Sequence, residues 1–546
     1  MERGALATFV ATIEAQREDR QAARAAGWKR EHGFGALLVS GLTLFTVAVA
    51  GYHPYAEDGG LYVAGVKRLL DPALYPRATE FVLEPMRWSV FAPAVAGMVR
   101  MSHLGLPTVL LVLHLASVWA TLFAAWMLAG RCFEARAARV GAVALLACWM
   151  SLPVAGTALL LMDPYVTARS FSTPCMVLAL VGALDMTECG QPRRRGFLLW
   201  GGSMLLAGAM HPLMAAYALG ATAVLVCVRS SRRRVRTWGT AAMCAAAVGV
   251  AACLQAMVRP ESADYVCVAL TRTYWFPMEW RWFELVGLAA PLAILVLYAG
   301  TRGSRTHISD ARCGAPAFVA VADARSALAR MAVVVGATAW VVAMLFARTG
   351  AATHLVARLQ PLRAFQVVYL VMVMMLGARL GERMLRRSAW RWCAAALLLG
   401  GVMFAAARGA FPSSNHLELP GRTARNAWVQ AFVWIRENTA KDAMFALDAD
   451  YINARGEDAQ CFRAIAERSA LPDYSKDGGE ASIAPELTDA WEGGQAAQSG
   501  LSAMTDMERL RAFEPLGVTW VVVDSRAGTG LSCPYANDSV KVCRLR

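Results

Sequence analysis

Long apolar blocks separated by short basic segments constrain the fold of this sequence more than any other feature. Most blocks approach the ~20 residues that an α-helix needs to cross a hydrocarbon core of ~30 Å. Only 17% of the residues are charged, whereas soluble domains carry about 25%. The sequence therefore predicts an α-helical polytopic membrane protein of about eleven spans. The predicted spans are residues 34–51, 106–130, 140–160, 170–187, 197–209, 213–228, 238–257, 283–299, 331–347, 362–378 and 392–408.

The formal net charge of +14 would suit a nucleic-acid-binding protein, but the positions of the arginines argue against one. They cluster in every second segment between apolar blocks, which is the pattern of cytoplasmic loops in membrane proteins. The basic charge therefore predicts topology and contact with anionic membrane lipids, with no nucleic acid as a partner. The main clusters are Arg131, Arg136 and Arg139; Arg193 to Arg195; Arg229, Arg232 to Arg234 and Arg236; Arg302, Arg305 and Arg312; and Arg379, Arg383, Arg386, Arg387 and Arg391.

This pattern divides the chain into three segments. Residues 1–33 are basic and no small-residue cleavage site follows the first span, which predicts a retained cytoplasmic segment. Residues 34–409 form the predicted transmembrane domain, with a long first outer loop at 52–105. Within that loop, residues 88–101 are apolar but too short to span, so we expect an interfacial or re-entrant helix. An odd number of spans then puts residues 410–546 outside, as the periplasmic domain of a bacterial inner-membrane protein.

The composition after residue 410 is that of a soluble α/β domain. Residues 428–437 and 504–513 predict helices, and residues 443–447 and 518–524 predict strands. The polar stretch 473–500 is rich in Gly, Ser, Asp and Glu, which predicts loops. About 130 residues are enough for the domain to bury its own core.

Most of the 13 cysteines lie inside apolar blocks, where a thiol behaves as a small hydrophobe. No CxxC pair or His/Cys cluster indicates a zinc site. Cys533 and Cys543 differ, because they flank a predicted turn on the non-cytoplasmic side. A disulfide between them is expected if that compartment is oxidising.

The first outer loop opens with a group of polar residues, His53, Tyr55, Glu57 and Asp58, followed by two glycines that allow a tight turn. A carboxylate held at the membrane face could remove a proton from an acceptor or help to hold a metal-bound phosphate. The plainer interpretation is that Glu57 and Asp58 are solvated charges capping a helix that begins at Leu61. Without further context the plainer interpretation is favoured.

The second outer loop is very short and adds Asp163 and Arg169. An exposed ion pair within the loop would explain both residues, and such a pair contributes ~0–1 kcal/mol to stability. Two outer loops that each supply an acid at the same depth nevertheless form a more specific pattern than either loop alone. His211 lies between two short apolar helices, where a titratable side chain indicates either function or a hydrogen bond at a helix break.

A basic loop on the outer side carries His354, Arg358 and Arg363, against the charge rule. Guanidinium groups bind phosphate or pyrophosphate bidentately, so anion binding explains them, as would lipid headgroups or a salt bridge to the outer-loop acids.

Taken together, the retained first span, the loop opening at Glu57-Asp58, the second loop with Asp163, the many spans and the terminal soluble domain resemble the GT-C superfamily of membrane glycosyltransferases. That superfamily includes protein mannosyltransferases, aminoarabinose transferases and oligosaccharyltransferases. The resemblance implies a GT-C-like fold and transfer of a sugar from a polyprenyl-phosphate donor to a lipid, glycan or protein acceptor. It also implies Asp58 as the base, with Glu57 second and Asp163 assisting, and Arg358 and Arg363 holding the leaving phosphate.

The resemblance leaves His53, Tyr55, Arg169, His211 and His354 as candidate substrate-binding residues. It assigns no certain cofactor, with a divalent Mg or Mn ion as a possible one. The acidic pair is Glu-Asp and not Asp-Asp or Asp-Glu, which leaves the donor, the acceptor and the metal dependence open. There are two alternative functions. One is a transporter or lipid flippase, which would place polar residues at mid-membrane. The other is a noncatalytic protein of envelope assembly.

Overall fold

A computed structural model describes residues 33–188, 193–257, 260–299 and 317–545 of the chain. The predicted N-terminal segment, residues 1–33, lies outside this part except for its last residue, and so does the basic cluster at 302–312. Within the described residues, a helix lies in each of the eleven predicted spans. In the part of the chain that the structure describes, eight helical segments are long and apolar enough to cross a membrane: Gly33–Ala50, Leu106–Cys132, Pro212–Arg229, Val235–Met257, Trp282–Ala299, Asp323–Phe346, Leu355–Leu385 and Ala389–Ala410.

The three other predicted spans form helices that do not meet these criteria of length and hydropathy. They are Arg136–Cys148, which has 13 residues, Ala168–Met186, which contains Pro174, and Arg193–Met210, which begins with three arginines. Ala168–Met186 is largely buried by its neighbours. These helices complete a helical bundle around one large apolar core.

The first outer loop is mostly helical, with helices at Glu57–Leu70, Glu80–Leu83 and Phe91–Ser102. The last of these is the short apolar helix that the sequence predicts. The expected turn at the two glycines is wrong, because Gly59 and Gly60 lie inside the helix that begins at Glu57. Glu57 and Asp58 therefore occupy its first turn, where carboxylates interact favourably with the helix dipole.

The C-terminal domain is built on a five-stranded sheet: β1 (Met444–Ala446), β2 (Ser469–Ala470), β3 (Trp520–Asp524), β4 (Tyr535–Ala536) and β5 (Val540–Arg544). The strand order is β2-β1-β3-β5-β4; β1 runs parallel to β2 and β3, and β5 runs antiparallel to β3 and β4. Both faces are covered, because alternate residues of β3 pack into two separate apolar clusters. The helices of the domain are Ala427–Asn438, Phe462–Ala466, Lys476–Ile483, Thr488–Gln498 and Asp506–Phe513.

The predicted helices and strands of this domain are confirmed to within a few residues, and Cys533 and Cys543 form a disulfide. The expected loops at 473–500 are wrong. This stretch contains the helices Lys476–Ile483 and Thr488–Gln498, which bury Ala481 and Trp491 against each other. The glycines lower helix propensity here, and tertiary packing outweighs that cost.

Main-chain hydrogen bonds join the beginning of the first outer loop to the C-terminal domain. The first outer loop is also bonded to the second outer loop, because the His53 N–H donates to the Pro164 carbonyl at 2.8 Å. These bonds fix three sequence-distant segments in one register. The bonds to the C-terminal domain are Tyr52 N–H to His416 O at 2.9 Å, Glu418 N–H to Tyr52 O at 3.0 Å, Glu57 N–H to Ala459 O at 2.8 Å and Cys461 N–H to Tyr55 O at 2.9 Å.

Gly60 makes this close approach possible. A Cβ atom at position 60 would overlap the Cβ of Cys461 and lie 2.6 Å from the carbonyl oxygen of Tyr55. Carbon atoms normally contact at ~3.5–4.0 Å, so any larger residue must push the helix away from the C-terminal domain.

We predict that Gly60→Ala destabilises the protein by about 1–3 kcal/mol, because overpacking outweighs the gain in helix propensity. The measurement is the thermal midpoint of the purified protein in detergent. Gly97→Ala is the matched control, since Gly97 is also helical and nothing lies within 4 Å of its missing Cβ. Equal midpoints for the two variants would contradict the proposed close contact.

Candidate active site

Glu57 and Asp58 are held at the start of the helix Glu57–Leu70 by the C-terminal domain. Glu57 has φ +52°, a left-handed conformation that is uncommon for a residue with a side chain. The hydrogen bond from its N–H to Ala459 stabilises this conformation. Backbone strain of this kind persists only where the surroundings impose it, so the direction of both carboxylates depends on the docked domain.

Lys476, from the C-terminal domain, binds both carboxylates. Its Nζ donates to Asp58 Oδ1 at 3.2 Å and forms an ion pair with Glu57. The Lys476 side chain is only 16% exposed, while that of Asp58 remains 42% exposed. Asp58 therefore faces an open space on one side and a buried cation on the other.

Several cations act on Asp58. Burial raises its pKa, but Lys476, Arg169 and Arg363 together outweigh that effect and lower the pKa to about 2. The carboxylate is consequently ionised throughout the physiological pH range. It can accept a hydrogen bond from a bound hydroxyl at any such pH.

Asp163 and Arg169 form a buried ion pair in the second outer loop, with side chains only 4% and 7% exposed. Arg169 lies in the first turn of the helix Ala168–Met186, which begins with a capping box between Thr167 and Ser170. Burial raises the pKa of Asp163, and Asp58 acts in the same direction while Arg169 opposes it. Asp163 therefore serves to hold Arg169 in place and is not itself accessible.

Arg363 carries a guanidinium group that lacks a complete set of partners. It lies in a short turn, Pro361–Ala364, at the beginning of a membrane-spanning segment. Its Nε is buried and has no hydrogen-bond partner among the described residues. The charges of Arg169 and Asp58 both act on it. A buried donor without an acceptor is costly, which makes this group a strong candidate for binding an anionic ligand.

His211 belongs to the same neighbourhood. It precedes the helix Pro212–Arg229, and its Nδ1 accepts the N–H of Met214. The charges of Arg363, Arg169 and Asp58 act on it. Six of the predicted site residues thus come together: Glu57, Asp58, Asp163, Arg169, His211 and Arg363.

His53 and Tyr55 contribute instead to the contact between the first outer loop and the C-terminal domain. His53 is fully buried and stacks on Phe411 with ring centroids 4.0 Å apart. The ammonium group of Lys67 lies 5.5 Å from the centroid of the Tyr55 ring. Neither side chain contacts Asp58 or Arg363 through an ion pair or hydrogen bond in the described structure.

His354 and Arg358 also have partners of their own. His354 is fully buried, and its Nδ1 lies 2.6 Å from a carboxylate oxygen of Glu261. Arg358 donates to the carbonyl oxygen of Ile483 at 3.1 Å. These contacts attach the basic loop to its surroundings, and Arg363 alone of the two predicted phosphate-binding arginines is brought into the group around Asp58.

Sequence reasoning missed Lys476 and Glu480, which occupy one face of the helix Lys476–Ile483, four residues apart. Burial raises the pKa of Glu480 to about 8, and Asp58 and Asp477 add to this effect. One signal could have indicated Lys476. It is the only basic residue in the acidic stretch 473–500, and an isolated cation there suggests a specific carboxylate partner.

The residues present do not fit a divalent metal ion as they stand. Among the described residues, no group of three or more His, Cys, Asp or Glu side chains is placed to hold one. Glu57 and Asp58 already bind Lys476, and Asp163 already binds Arg169. Mg²⁺ and Mn²⁺ bind carboxylate oxygens, and each of these three carboxylates is already paired with an ammonium or guanidinium group.

No protein-family model and no curated protein sequence matches the chain. Among solved structures, the chain is similar to the archaeal oligosaccharyltransferase AglB from Archaeoglobus fulgidus, in complex with an inhibitory peptide and a dolichol-phosphate. The two share 12% identity, with 90% of this chain and 69% of that chain covered and a TM-score of 0.45. The apo form of the Archaeoglobus fulgidus oligosaccharyltransferase gives the same identity and coverage, with a TM-score of 0.43.

A third structure of the Archaeoglobus fulgidus oligosaccharyltransferase, in complex with Zn and sulfate, covers 89% of this chain and 68% of its own at 12% identity, with a TM-score of 0.35. Oligosaccharyltransferases are one of the groups that the sequence resembles. Similarity at this level does not assign an activity, so the function below is argued from the site itself.

We predict that stability falls as the pH rises from about 4.5 to 8, partly because of Glu480. With its pKa raised to about 8 from an ordinary value of 4.5, the folded protein binds a proton that the unfolded chain has lost in this range. That stabilisation is fully present at the acidic end and is lost as the pH passes the folded-state pKa. Glu480→Gln should flatten the decline of the thermal midpoint across this range.

Glu437→Gln is the control for this experiment, because Glu437 is 61% exposed at the surface of the C-terminal domain. Its pH profile should match that of the unmodified protein. If Glu480→Gln gave the same slope as the control, Glu480 would not be protonated in the folded protein at neutral pH.

Proposed function

We propose that this protein is a membrane glycosyltransferase that moves a sugar from a polyprenyl-phosphate donor to a hydroxyl- or amide-bearing acceptor on the extracytoplasmic face. The observation that carries the proposal is the guanidinium of Arg363, whose buried Nε has no hydrogen-bond partner among the described residues, beside Arg169 and an accessible carboxylate, Asp58. A phosphate oxyanion would supply the missing acceptor for Arg363. The carboxylate would receive the proton that an attacking group must lose.

The reaction balances on these groups. The acceptor oxygen or nitrogen forms a bond to the anomeric carbon of the sugar as the bond from that carbon to the phosphate oxygen breaks. The leaving phosphate takes the electron pair and gains negative charge, which Arg363 stabilises together with Arg169. The proton of the acceptor passes to Asp58.

The low pKa of Asp58 is compatible with this role. A carboxylate of pKa about 2 is a weak base toward a neutral hydroxyl. Once the new bond to carbon forms, however, the acceptor proton becomes strongly acidic, and transfer to Asp58 is then favourable. Before that point the ionised carboxylate orients the acceptor by accepting its hydrogen bond.

The position of Arg363 suits a donor with a lipid tail. It lies in the turn Pro361–Ala364, which directly precedes the apolar helix Phe365–Leu380, so a phosphate bound there would lie near the end of a membrane span, at the level of lipid headgroups. The polyprenyl chain could then remain among the spans. A bacterial inner membrane with the C-terminal domain in the periplasm is the location that we propose for this arrangement, from the arginine pattern of the loops.

We predict that Arg363→Met weakens binding of a polyprenyl monophosphate by about 10- to 100-fold, because a charge-assisted hydrogen bond contributes ~1.5–3 kcal/mol. Binding is measured by native mass spectrometry of the protein in detergent. Arg358→Met is the matched control, since it removes a guanidinium from the same loop. Equal affinity in the unmodified protein and in both variants would show that Arg363 does not bind the phosphate. The main support for this function would then be lost.

Asp58→Asn separates binding from transfer. We predict that this variant binds the polyprenyl phosphate but loses the glycan product by about 10²–10⁴-fold, the range for loss of a general base. The product is measured by mass spectrometry of envelope glycans from cells that carry the variant at normal protein level. Unchanged product would exclude Asp58 as the base and would favour a transporter or a noncatalytic role.

A further inference from the structure

The ammonium group of Lys476 is largely buried, which is unusual for a lysine side chain. It bonds two carboxylates that are adjacent in sequence, Glu57 and Asp58, and both lie in the first turn of a helix from another domain. Divalent cations such as Mg²⁺ are commonly bound by neighbouring carboxylates in the same way. Here a side chain fills that space.

Lys476 is held in this place by its own domain. It is the first residue of the helix Lys476–Ile483, and its N–H donates to Asp473 Oδ1 at 2.6 Å. The Asp473 N–H in turn donates to Asp477 at 2.8 Å, and Trp491 Nε1 donates to the Asp473 carbonyl at 2.9 Å. The start of this helix therefore has little freedom to move.

A buried arginine anchors the same network. Arg463 binds both carboxylate oxygens of Asp477, at 2.6 and 2.7 Å, and its carbonyl oxygen accepts the hydroxyl of Tyr75 from the first outer loop at 2.8 Å. The outer loop and the lysine-bearing helix are thus tied to one another at a second point. This rigidity distinguishes Lys476 from a flexible surface lysine that meets an acid by chance.

The charge of Lys476 is also secure. Burial lowers the pKa of Lys476, but Asp58 and Glu57 raise it by more, so that it lies well above its ordinary value. The ammonium group stays protonated at every physiological pH. A divalent ion approaching these carboxylates would meet a fixed positive charge within bonding distance of the same oxygens.

We propose that Lys476 is a built-in counter-ion that replaces a divalent metal ion at the acidic pair and excludes one from it. Lys476 acts as a positioning residue, since it fixes the direction of the Asp58 carboxylate and leaves its other oxygen toward the open space. Removing the ammonium group leaves two adjacent carboxylates without a cation in bonding contact. These carboxylates then become a binding site for a divalent cation.

The role of Lys476 in directing Asp58 for sugar transfer rests on the function proposed above. The exclusion of a divalent metal ion by Lys476 does not depend on that function. The test is therefore made without donor or acceptor, on the full-length protein in detergent, by calorimetric titration with Mn²⁺. We predict that Lys476→Met binds Mn²⁺ at least tenfold more tightly than the unmodified protein. The double variant Lys476→Met/Asp58→Asn should lose that binding again.

Two controls make the result specific. Lys476→Arg keeps a cation at the same position, so it should exclude Mn²⁺ as the unmodified protein does. Lys441→Ala removes the exposed Lys441, whose Nζ lies 2.7 Å from Asp71, and should leave Mn²⁺ binding unchanged. Thermal melting of each protein identifies any variant that fails to fold, in which case Lys476→Gln takes the place of Lys476→Met.

Two outcomes would overturn the proposal. In one, the unmodified protein binds Mn²⁺ and Asp58→Asn abolishes that binding, which would make the acidic pair an ordinary metal site. In the other, folded Lys476→Met binds Mn²⁺ no more tightly than the unmodified protein, so Lys476 excludes nothing. Either result leaves the Arg363 experiment intact, because polyprenyl phosphate binding is measured separately.

Discussion

The docking of the C-terminal domain on the first outer loop is the constraint on which the rest of the site depends. Four main-chain hydrogen bonds join the two segments, and a fifth joins the loop to the second outer loop. Backbone bonds specify register more strictly than side-chain contacts, because a shift by one residue breaks them all. They explain why the unfavourable φ of Glu57 is retained, and why a glycine is needed at position 60.

Charge compensation is the second organising feature. Asp163 is paired with Arg169 of the same loop, while Glu57 and Asp58 share Lys476 from the C-terminal domain. Arg363 has no ion-pair partner of its own among the described residues, although its charge and that of Asp58 act on each other. Removing one partner from a buried pair costs several kcal/mol, so such a site tolerates few changes. The buried Nε of Arg363, which lacks a hydrogen-bond acceptor among the described residues, is better explained by a ligand than by the fold alone.

The sequence predicted the membrane class, because the length of an apolar block reports directly on bilayer thickness. Asp58, Asp163 and Arg363 were also recognisable, since each lies close to the end of a predicted span and such ends meet at one membrane face. The helix that carries Lys476 was not recognisable. It contains Gly478 and Gly479, and it exists because Trp491 and the Asp473 carboxylate hold it. Tertiary contacts of this kind leave no periodic signal in the sequence.

The separation of Lys476 from Asp58 along the chain, 418 residues, has a consequence for biogenesis. A ribosome adds about 5–20 residues per second, so roughly 20 to 80 seconds pass between synthesis of the carboxylate and synthesis of its ammonium partner. During that interval the nascent protein carries the acids without the lysine. The centre is therefore assembled last, after the helices have been inserted, and a truncated translation product that stops before the terminal domain would lack its counter-ion altogether.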